Sequence, residues 1–388
     1  MTNRPLTIAW ISFFPIEWLP DIPEPLRKLP RLHPATWQRV LLAELENKRS
    51  IRLHILVLRK QFERSLSFER NGVTFHLIKT PGGLRAPSLF WLDTILIKRV
   101  LAKIKPDLVH AWGTEQGAAL VASRLGHPYL VTIQGLMSWL AEVGPVNHYL
   151  RLVAWLEKWS LTRASVVTVE SSFAMRYLKR KFPHLEVRQT EHAPDRIFHQ
   201  VQRRPQINPV RFMFVGSLSY LKGADLLFKA LDQLKGELSF QLIVIGKINE
   251  SFLGSLKNTV SSELWQRIHF RGSLTSEEVA GELATATMMI YPTRVDNSPN
   301  AVKEAVVAGV PVVASAIGGI TDYVILGENG YLFPSENLDA CISAIKAACR
   351  HPLFSQGLVE EATLVKMRDY LSPERMGQSF FETYQLIK

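Results

Sequence analysis

Short, nearly continuous apolar runs recur along this chain, and stretches of helical periodicity lie between them. In the first half, runs at residues 6–12, 51–58, 73–78, 108–110, 129–133 and 166–169 predict strands, and the 3.6-residue pattern predicts helices over 35–46, 89–104, 116–123, 149–161 and 172–181. The second half repeats the scheme, with strands predicted at 211–215, 242–245, 268–270, 288–291 and 312–314. Strands that are apolar throughout are buried on both faces, and their alternation with helices marks a parallel α/β sheet covered on both sides. The segment 199–209, HQVQRRPQINP, has no periodicity and two prolines, which predicts a linker between two doubly wound halves. The length of 388 residues suits two or more domains of ~150 residues. Two such halves are expected to enclose a cleft, a usual place for a ligand.

The stretch from Tyr291 to Ser315, YPTRVDNSPNAVKEAVVAGVPVVAS, carries the most chemistry. An apolar strand leads into a polar loop, a helix follows, and Gly309-Val310-Pro311 stops the helix before the next strand. Such a loop lies at the carboxyl end of its strand, where open α/β sheets bind ligands. The helix start offers unpaired backbone N–H groups and the positive end of a dipole to a phosphate. Asp296 and Glu304 bracket that helix start with seven residues between them. Anions at the N–H groups and hydroxyls at the carboxylates describe a nucleotide-diphosphate sugar.

This segment resembles the signature of retaining GT-B glycosyltransferases of family four, the glycosyl transferases group 1. Upstream, FVGSLSYLKGADLLFKAL resembles the V-G-R-L-x-x-x-K-G loop and helix of that family, and HFRGSLTSEEVAGELATATMMIYPT resembles the stretch before its signature strand. YLSPERMGQSFFETY resembles its last helix. The resemblance is nearly continuous over residues 210–385 and falls to short pieces, DLVHAWG and VTIQG, over residues 1–200. It implies a GT-B architecture with three parts. Residues 1–200 form an acceptor-side Rossmann-like domain, 207–370 a nucleotide-sugar-binding one, and 371–388 a terminal helix that returns to the first domain.

The resemblance also implies roles. Glu304 binds the ribose hydroxyls and Asp296 faces the transferred sugar. Gly216, Asn297, Ser298, Asn300 and Ala301 bring backbone amides to phosphate and sugar. Lys222 is the main cation at the diphosphate, because Ser217 stands where the family has arginine. Gln134 takes the place of the family's histidine near the sugar, and His110, near a strand end, is a further candidate for the catalytic set. A glycine-rich loop expected after the first strand is absent, and FFPIEWLPDIPEPLRKLPRLHPATW, with six prolines, stands there. In the EHAPDRIF segment His192 replaces the usual Asn, while Asp195 and Phe198 fit. The implied reaction is transfer from a UDP- or GDP-sugar to a glycan or lipid-linked acceptor by front-face substitution, without an obligatory metal or other cofactor. An epimerase of the same architecture and a catalytically silent donor-binding protein are the alternatives.

Composition excludes several other classes. No Asp-x-Asp, G-x-G-x-x-G or P-loop motif occurs, and no His/Cys cluster has zinc spacing. The two cysteines, Cys341 and Cys349, fall on one predicted helix at a spacing that forbids a disulfide, which suits a reducing compartment. LTIAWISFFP lacks the basic lead-in and cleavage site of a signal peptide and reads as a first buried strand.

Charge adds one feature. Residues 1–200 hold 28 basic against 16 acidic side chains, whereas the remainder holds 18 against 19. The whole excess lies in the first half, where aromatics and cations share two helices, Phe90 and Trp91 with Lys98, Arg99 and Lys103, and Trp155 and Trp159 with Arg151 and Lys158. Nucleic acid, an anionic membrane face and an acidic acceptor are all compatible with that excess; no nucleic-acid-binding module is recognisable, and the aromatics among the cations favour the membrane face. The expected location is cytoplasmic, with docking on the cytoplasmic side of the membrane.

Overall fold

The computed structural model describes residues 4–32, 34–143 and 148–387. The chain divides into two compact units, residues 1–192 with 376–388, and residues 193–375.

The first unit holds β1 (Leu6–Ile11), β2 (Ile51–Arg59), β3 (Leu66–Arg70), β4 (Val73–Lys79), β5 (Leu108–Trp112), β6 (Tyr129–Thr132), β7 (Val166–Val169) and β8 (Val187–Gln189). They form one sheet in the order β3-β4-β2-β1-β5-β6-β7-β8. Every residue of β1 is buried, as its unbroken apolar run requires. Only β3 runs antiparallel to its neighbour, β4. Asn71 and Gly72 join the two with positive φ at both positions, 49° and 73°, the geometry a two-residue hairpin turn demands.

The second unit holds β9 (Val210–Val215), β10 (Phe240–Ile245), β11 (Ile268–Gly272), β12 (Met288–Tyr291), β13 (Val312–Ser315) and β14 (Gly330–Phe333). Its order is β11-β10-β9-β12-β13-β14, parallel throughout. Side chains alternate between two cores as the pleat dictates: Phe212 and Phe214 enter one, Met213 the other. Cys341 and Cys349 are free thiols on the helix Leu338–Arg350, and burial pushes them up to about 12 and about 11.

Two expectations are corrected, and the stretch that departs from the resembled pattern is placed. The 199–209 segment is no linker, because it is docked within the second unit. There Arg203 donates to the carbonyls of Leu283, Ala286 and Gly357, and the Arg204 and Gln206 amides donate to Ala284 and Thr285. The chain passes between units instead at His192–Ala193 and Arg375–Met376. The proline-rich loop after β1 is ordered over its described residues (His33 lies outside them). Its Glu17 is buried against Arg59 at 2.7 Å, and Arg59 also donates to the Phe14 carbonyl at 2.6 Å. The second correction is His110, which sits mid-strand in β5 and is fully buried. The terminal helix Pro373–Ile387 brings Tyr384 to it, with Nδ1 2.8 Å from the phenol oxygen, and Nε2 lies 2.6 Å from Thr132 Oγ1. Burial holds the His110 ring well below its usual pKa, so it is a neutral core group and faces no substrate.

Candidate functional site

In the second unit the strand order reverses between β9 and β12, which places their carboxyl-end loops side by side. Gly216 follows β9, and a Cβ on neighbouring Gly246 would stand 2.2 Å from the Gly216 oxygen. The loop then turns at Gly223 (φ 70°), where a Cβ would lie 1.8 Å from the Pro292 oxygen. From the opposite side Gly318 (φ 55°) approaches so closely that its Cβ would lie 1.8 Å from the Asp296 oxygen, and the Gly319 amide donates to Asn297 at 2.7 Å. The signature loop is therefore gripped between two glycine turns that admit no side chain. Arg294 completes the grip. Its amide donates to the Leu221 carbonyl at 2.9 Å, and its guanidinium forks onto Asp225 at 2.7 and 2.9 Å. The same group reaches Glu336 at 3.0 Å and stacks over Tyr220 at 3.7 Å.

Within this frame Lys222 Nζ meets Asp296 Oδ2 at 2.5 Å, and Tyr291 donates its hydroxyl to the same oxygen at 2.9 Å. Two residues expected to serve separate parts of a donor are thus joined in one ion pair. Burial alone would lower the Lys222 ammonium, but Tyr291 and Asp296 outweigh it and hold its pKa above the ordinary lysine value. Burial, reinforced by Asp296, raises the Tyr291 phenol, so it remains a donor.

The helix Asn300–Ala308 begins immediately after this loop. Its N-cap is Pro299 and no side chain caps it; the Val302 and Lys303 amides turn back to the Pro299 carbonyl at 3.1 and 3.2 Å, which leaves the Asn300 and Ala301 amides at the helix start. Asn297 is buried, and Ser298 Oγ lies 2.8 Å from the Tyr323 hydroxyl. Ala301 is half-buried in the first turn. One turn on, half-buried Glu304 is pushed up to about 7, chiefly by burial, with Asp195 adding to this and Lys303 opposing it. Ser217 is exposed, its Oγ 3.5 Å from Ser219 Oγ, so a solvent-facing hydroxyl occupies the arginine position of the pattern. The arrangement offers an anion a cation and a row of amides, and it offers hydroxyls a carboxyl that gains a charge near neutrality.

Gln134 lies elsewhere, in the first unit just after β6, and lines a cavity there with Glu115. Tyr291, Arg294, Lys303 and Tyr323 are parts of the second-unit site that the sequence did not single out. For Arg294 a signal existed, a cation inside the signature loop. Tyr291 read as one more apolar strand residue.

Among the described residues, no group of three or more His, Cys, Asp and Glu is placed to hold a metal ion, and no helix is long and apolar enough to cross a membrane.

Comparison with known proteins bears on this geometry. Residues 209–351 match the family model described as glycosyl transferases group 1, and residues 35–189 match the glycosyl transferase 4-like domain. An uncharacterised glycosyltransferase of Methanocaldococcus jannaschii is 22% identical over 246 residues, 62% of this chain and 64% of its own length. A glycogen synthase of Mycobacterium tuberculosis is 23% identical over 257 residues, 65% of this chain and 62% of its own. The chain thus spans somewhat under two thirds of these relatives. Among solved structures, a sucrose-phosphate synthase from Thermosynechococcus elongatus superposes with a TM-score of 0.80 at 18% identity, covering 98% of this chain and 99% of that one. HepE of Anabaena, solved with UDP and glucose, gives 0.70 at 16% identity with the same coverage. The two matched models follow one another along the chain and together take in well over half of it, and both sheets have the GT-B form, so the chain belongs to the glycosyl transferases group 1 on a GT-B fold.

Proposed function

We propose that the protein transfers a glycosyl group from a nucleotide-diphosphate sugar to a hydroxyl acceptor with retention of configuration and without a metal ion. The observation that carries this reading is the junction of Lys222, Asp296 and the uncapped start of helix Asn300–Ala308 at the reversal of strand order. A diphosphate there lies against the Asn300 and Ala301 amides and the Lys222 ammonium. As the bond from the anomeric carbon to the β-phosphate oxygen breaks, negative charge grows on that oxygen, and these fixed donors stabilise it. Asp296 then orients the sugar hydroxyls, and Glu304 accepts hydrogen bonds from the two ribose hydroxyls. The acceptor hydroxyl attacks from the face the phosphate leaves, and its proton passes to the departing phosphate. HepE, solved with UDP-glucose, and a GDP-mannose-dependent mannosyltransferase of Corynebacterium glutamicum support a uridine or guanosine donor. The test is calorimetry with UDP and GDP, followed by proton NMR of a bound UDP- or GDP-sugar during slow hydrolysis. Release of the sugar with the donor's anomeric configuration is expected. An inverted product, or an epimerised donor, would sink this reading.

The same proposal places the enzyme in the cytoplasm with its first unit docked on an anionic membrane face to reach a glycan or lipid-linked acceptor. Support comes from two exposed aromatics on basic helices, Trp91 at 54% and Trp155 at 60%. Arg124 stacks on Trp91 at 4.4 Å and reaches Trp159 at 5.7 Å, which joins the two helices into one basic aromatic face. On the helix Trp91–Ile104, Ile97 and Leu101 supply the buried stripe, while Trp91 and Ile95 face outward.

A further inference from the structure

The loops that follow β9 and β10 run side by side. The Leu218 amide donates to the Lys247 carbonyl at 2.9 Å, and Leu218 forms a parallel bridge with Ile248. Beyond that bridge the two loops and the helix Glu250–Lys257 enclose a cavity of about 470 Å³. It is separate from the donor site. Phe252, from its wall, packs on the core under one face of the sheet with Phe212 and Phe214, whereas Val302 and Ala305 of the helix Asn300–Ala308 belong to the core under the other face. Lys222 leaves the same loop towards Asp296, and neither residue lines the cavity.

Tyr220 in the cavity wall is the first observation. It is 53% exposed, and Leu221 beside it is 47% exposed. An exposed ring gains little from the core, yet this one is held in place. Arg294 lies over it at 3.7 Å and donates to the Tyr220 carbonyl at 2.5 Å, while its guanidinium is anchored on Asp225 and Glu336. The same carbonyl accepts from the Gly223 amide at 2.9 Å. A ring fixed in advance costs a ligand little ordering.

The polar groups of the wall are an independent observation. Asn249 Oδ1 caps the helix, accepting from the Phe252 amide at 3.1 Å and from the Ser251 hydroxyl at 2.8 Å. The cap fixes which way the side-chain amide points, and its NH2 makes no hydrogen bond among the described residues. Ser251 spends its hydrogen on Asn249, and Ser255 spends its own on the Phe252 carbonyl at 2.7 Å. Both serines are exposed, so their oxygens keep lone pairs for a ligand.

These groups define a ligand class. Among the described residues, none that lines the cavity is charged, so nothing there recruits a phosphate, a carboxylate or an ammonium. Donors beside acceptors suit hydroxyls, which both give and take a hydrogen, and the negative ring faces of Tyr220 and Phe252 suit C–H groups. Sugar rings carry both. The volume falls within the ~300–1,000 Å³ of small-molecule sites, which suits a short chain of rings. We propose that this cavity is a second glycan-binding site, separate from the donor site, and that it holds a neutral oligosaccharide against Tyr220 and Asn249. The proposal goes beyond the transfer reading, because binding here needs no donor. A chain held at this site keeps its free end at high local concentration.

The test is calorimetry on the whole chain with maltohexaose, cellohexaose and mannohexaose, with hexagalacturonate as the charged comparison, and separately with UDP and GDP. At least one neutral hexasaccharide should bind, and hexagalacturonate should bind at least tenfold more weakly. Asn249→Ser keeps a helix cap and removes the amide donors. It should weaken hexasaccharide binding at least fivefold and leave UDP and GDP affinities within twofold. Tyr220→Ala should weaken hexasaccharide binding at least fivefold, while Tyr220→Phe, which keeps the ring, should weaken it less than Tyr220→Ala does. A parent that binds none of the three neutral hexasaccharides overturns the proposal, as does hexagalacturonate binding within tenfold of the best of them. A loss under fivefold in Asn249→Ser or Tyr220→Ala overturns it too, and so does a Tyr220→Phe variant as weak as Tyr220→Ala. Hexasaccharide binding that meets these conditions in a chain that binds neither UDP nor GDP supports this site and overturns the donor reading instead.

Discussion

At the scale of residues, the Lys222–Asp296 pair sets the terms for the donor site. Removing one partner of a half-buried pair leaves the other without compensation. Lys222→Ala is expected to weaken donor binding by ~2–3 kcal/mol, the value of a charge-assisted contact. It should also lower the melting temperature, and adding Asp296→Asn should restore part of that loss without restoring affinity. Asp296→Asn alone should leave free-nucleotide binding within a fewfold and depress transfer. Melting curves and nucleotide calorimetry on the three variants check this, and equal affinities in all of them would refute the assignment.

Glu304 gives a second residue-scale prediction. Its folded pKa of about 7 stands above the ordinary 4.5, so the unfolded chain ionises first. Stability is then lost as pH rises from 4.5 to about 7 and is flat above it. Glu304→Gln should therefore raise the melting temperature at pH 8 by a few degrees, on the order of 1–2 kcal/mol after allowance for solvent, and change nothing near pH 4.5. Nucleotide affinity should move the other way, because ribose hydroxyls prefer the ionised carboxylate. In the parent it should rise as pH passes through about 7. Both effects come from a carboxylate whose position was legible in the sequence, since the acidic spacing is part of the motif. The pairing of Lys222 with Asp296 was not legible, because it depends on how two separate loops approach in space. His110 misled for the same reason, since the Tyr384 that occupies it lies 274 positions away.

At the scale of elements, the signature loop is held by backbone contacts on both sides. Gly318→Ala would place a methyl 1.8 Å from the Asp296 oxygen at a φ of 55°. The loop must shift, so donor affinity is expected to fall at least tenfold. The comparison is Gly254→Ala, where a Cβ meets nothing within 4 Å and affinity should be unchanged. Nucleotide calorimetry on the two variants decides whether the grip matters. Unbroken apolar strands such as β1 and β12 could be read from pattern alone, because every residue in them is buried. β3, β8 and β14 were not predicted: β3 alternates polar residues at the sheet edge, β8 has three residues, and β14 has four and begins with a glycine. The Asn71-Gly72 turn was the available signal for β3.

At the scale of the molecule, the basic excess of residues 1–200 bears on where the protein works. Each cation near an anionic bilayer contributes about 1 kcal/mol, so a handful gives reversible attachment. Co-sedimentation with anionic vesicles at low salt is expected, with release at high salt and none on neutral lipid. Trp155→Ser should reduce it severalfold. Absence of binding to anionic vesicles would leave an acidic acceptor in solution as the reason for the charge. Two halves of one architecture were legible from alternating strands and helices, whereas the crossing point was not. The 199–209 segment has the composition of a linker, yet Arg203 fastens it to three carbonyls.

The two crossings, at 192–193 and 375–376, make the second unit one continuous piece and the first a discontinuous one. Arg196 and Glu374, just inside those crossings, pair with each other. On a ribosome this imposes an order. All of residues 193–375 emerge before Phe380 and Tyr384, the side chains that close over Trp10, His110 and Trp112. The half that is translated first is therefore the last to be finished, and until then its aromatic core stays open to whatever chaperone or stray chain is near.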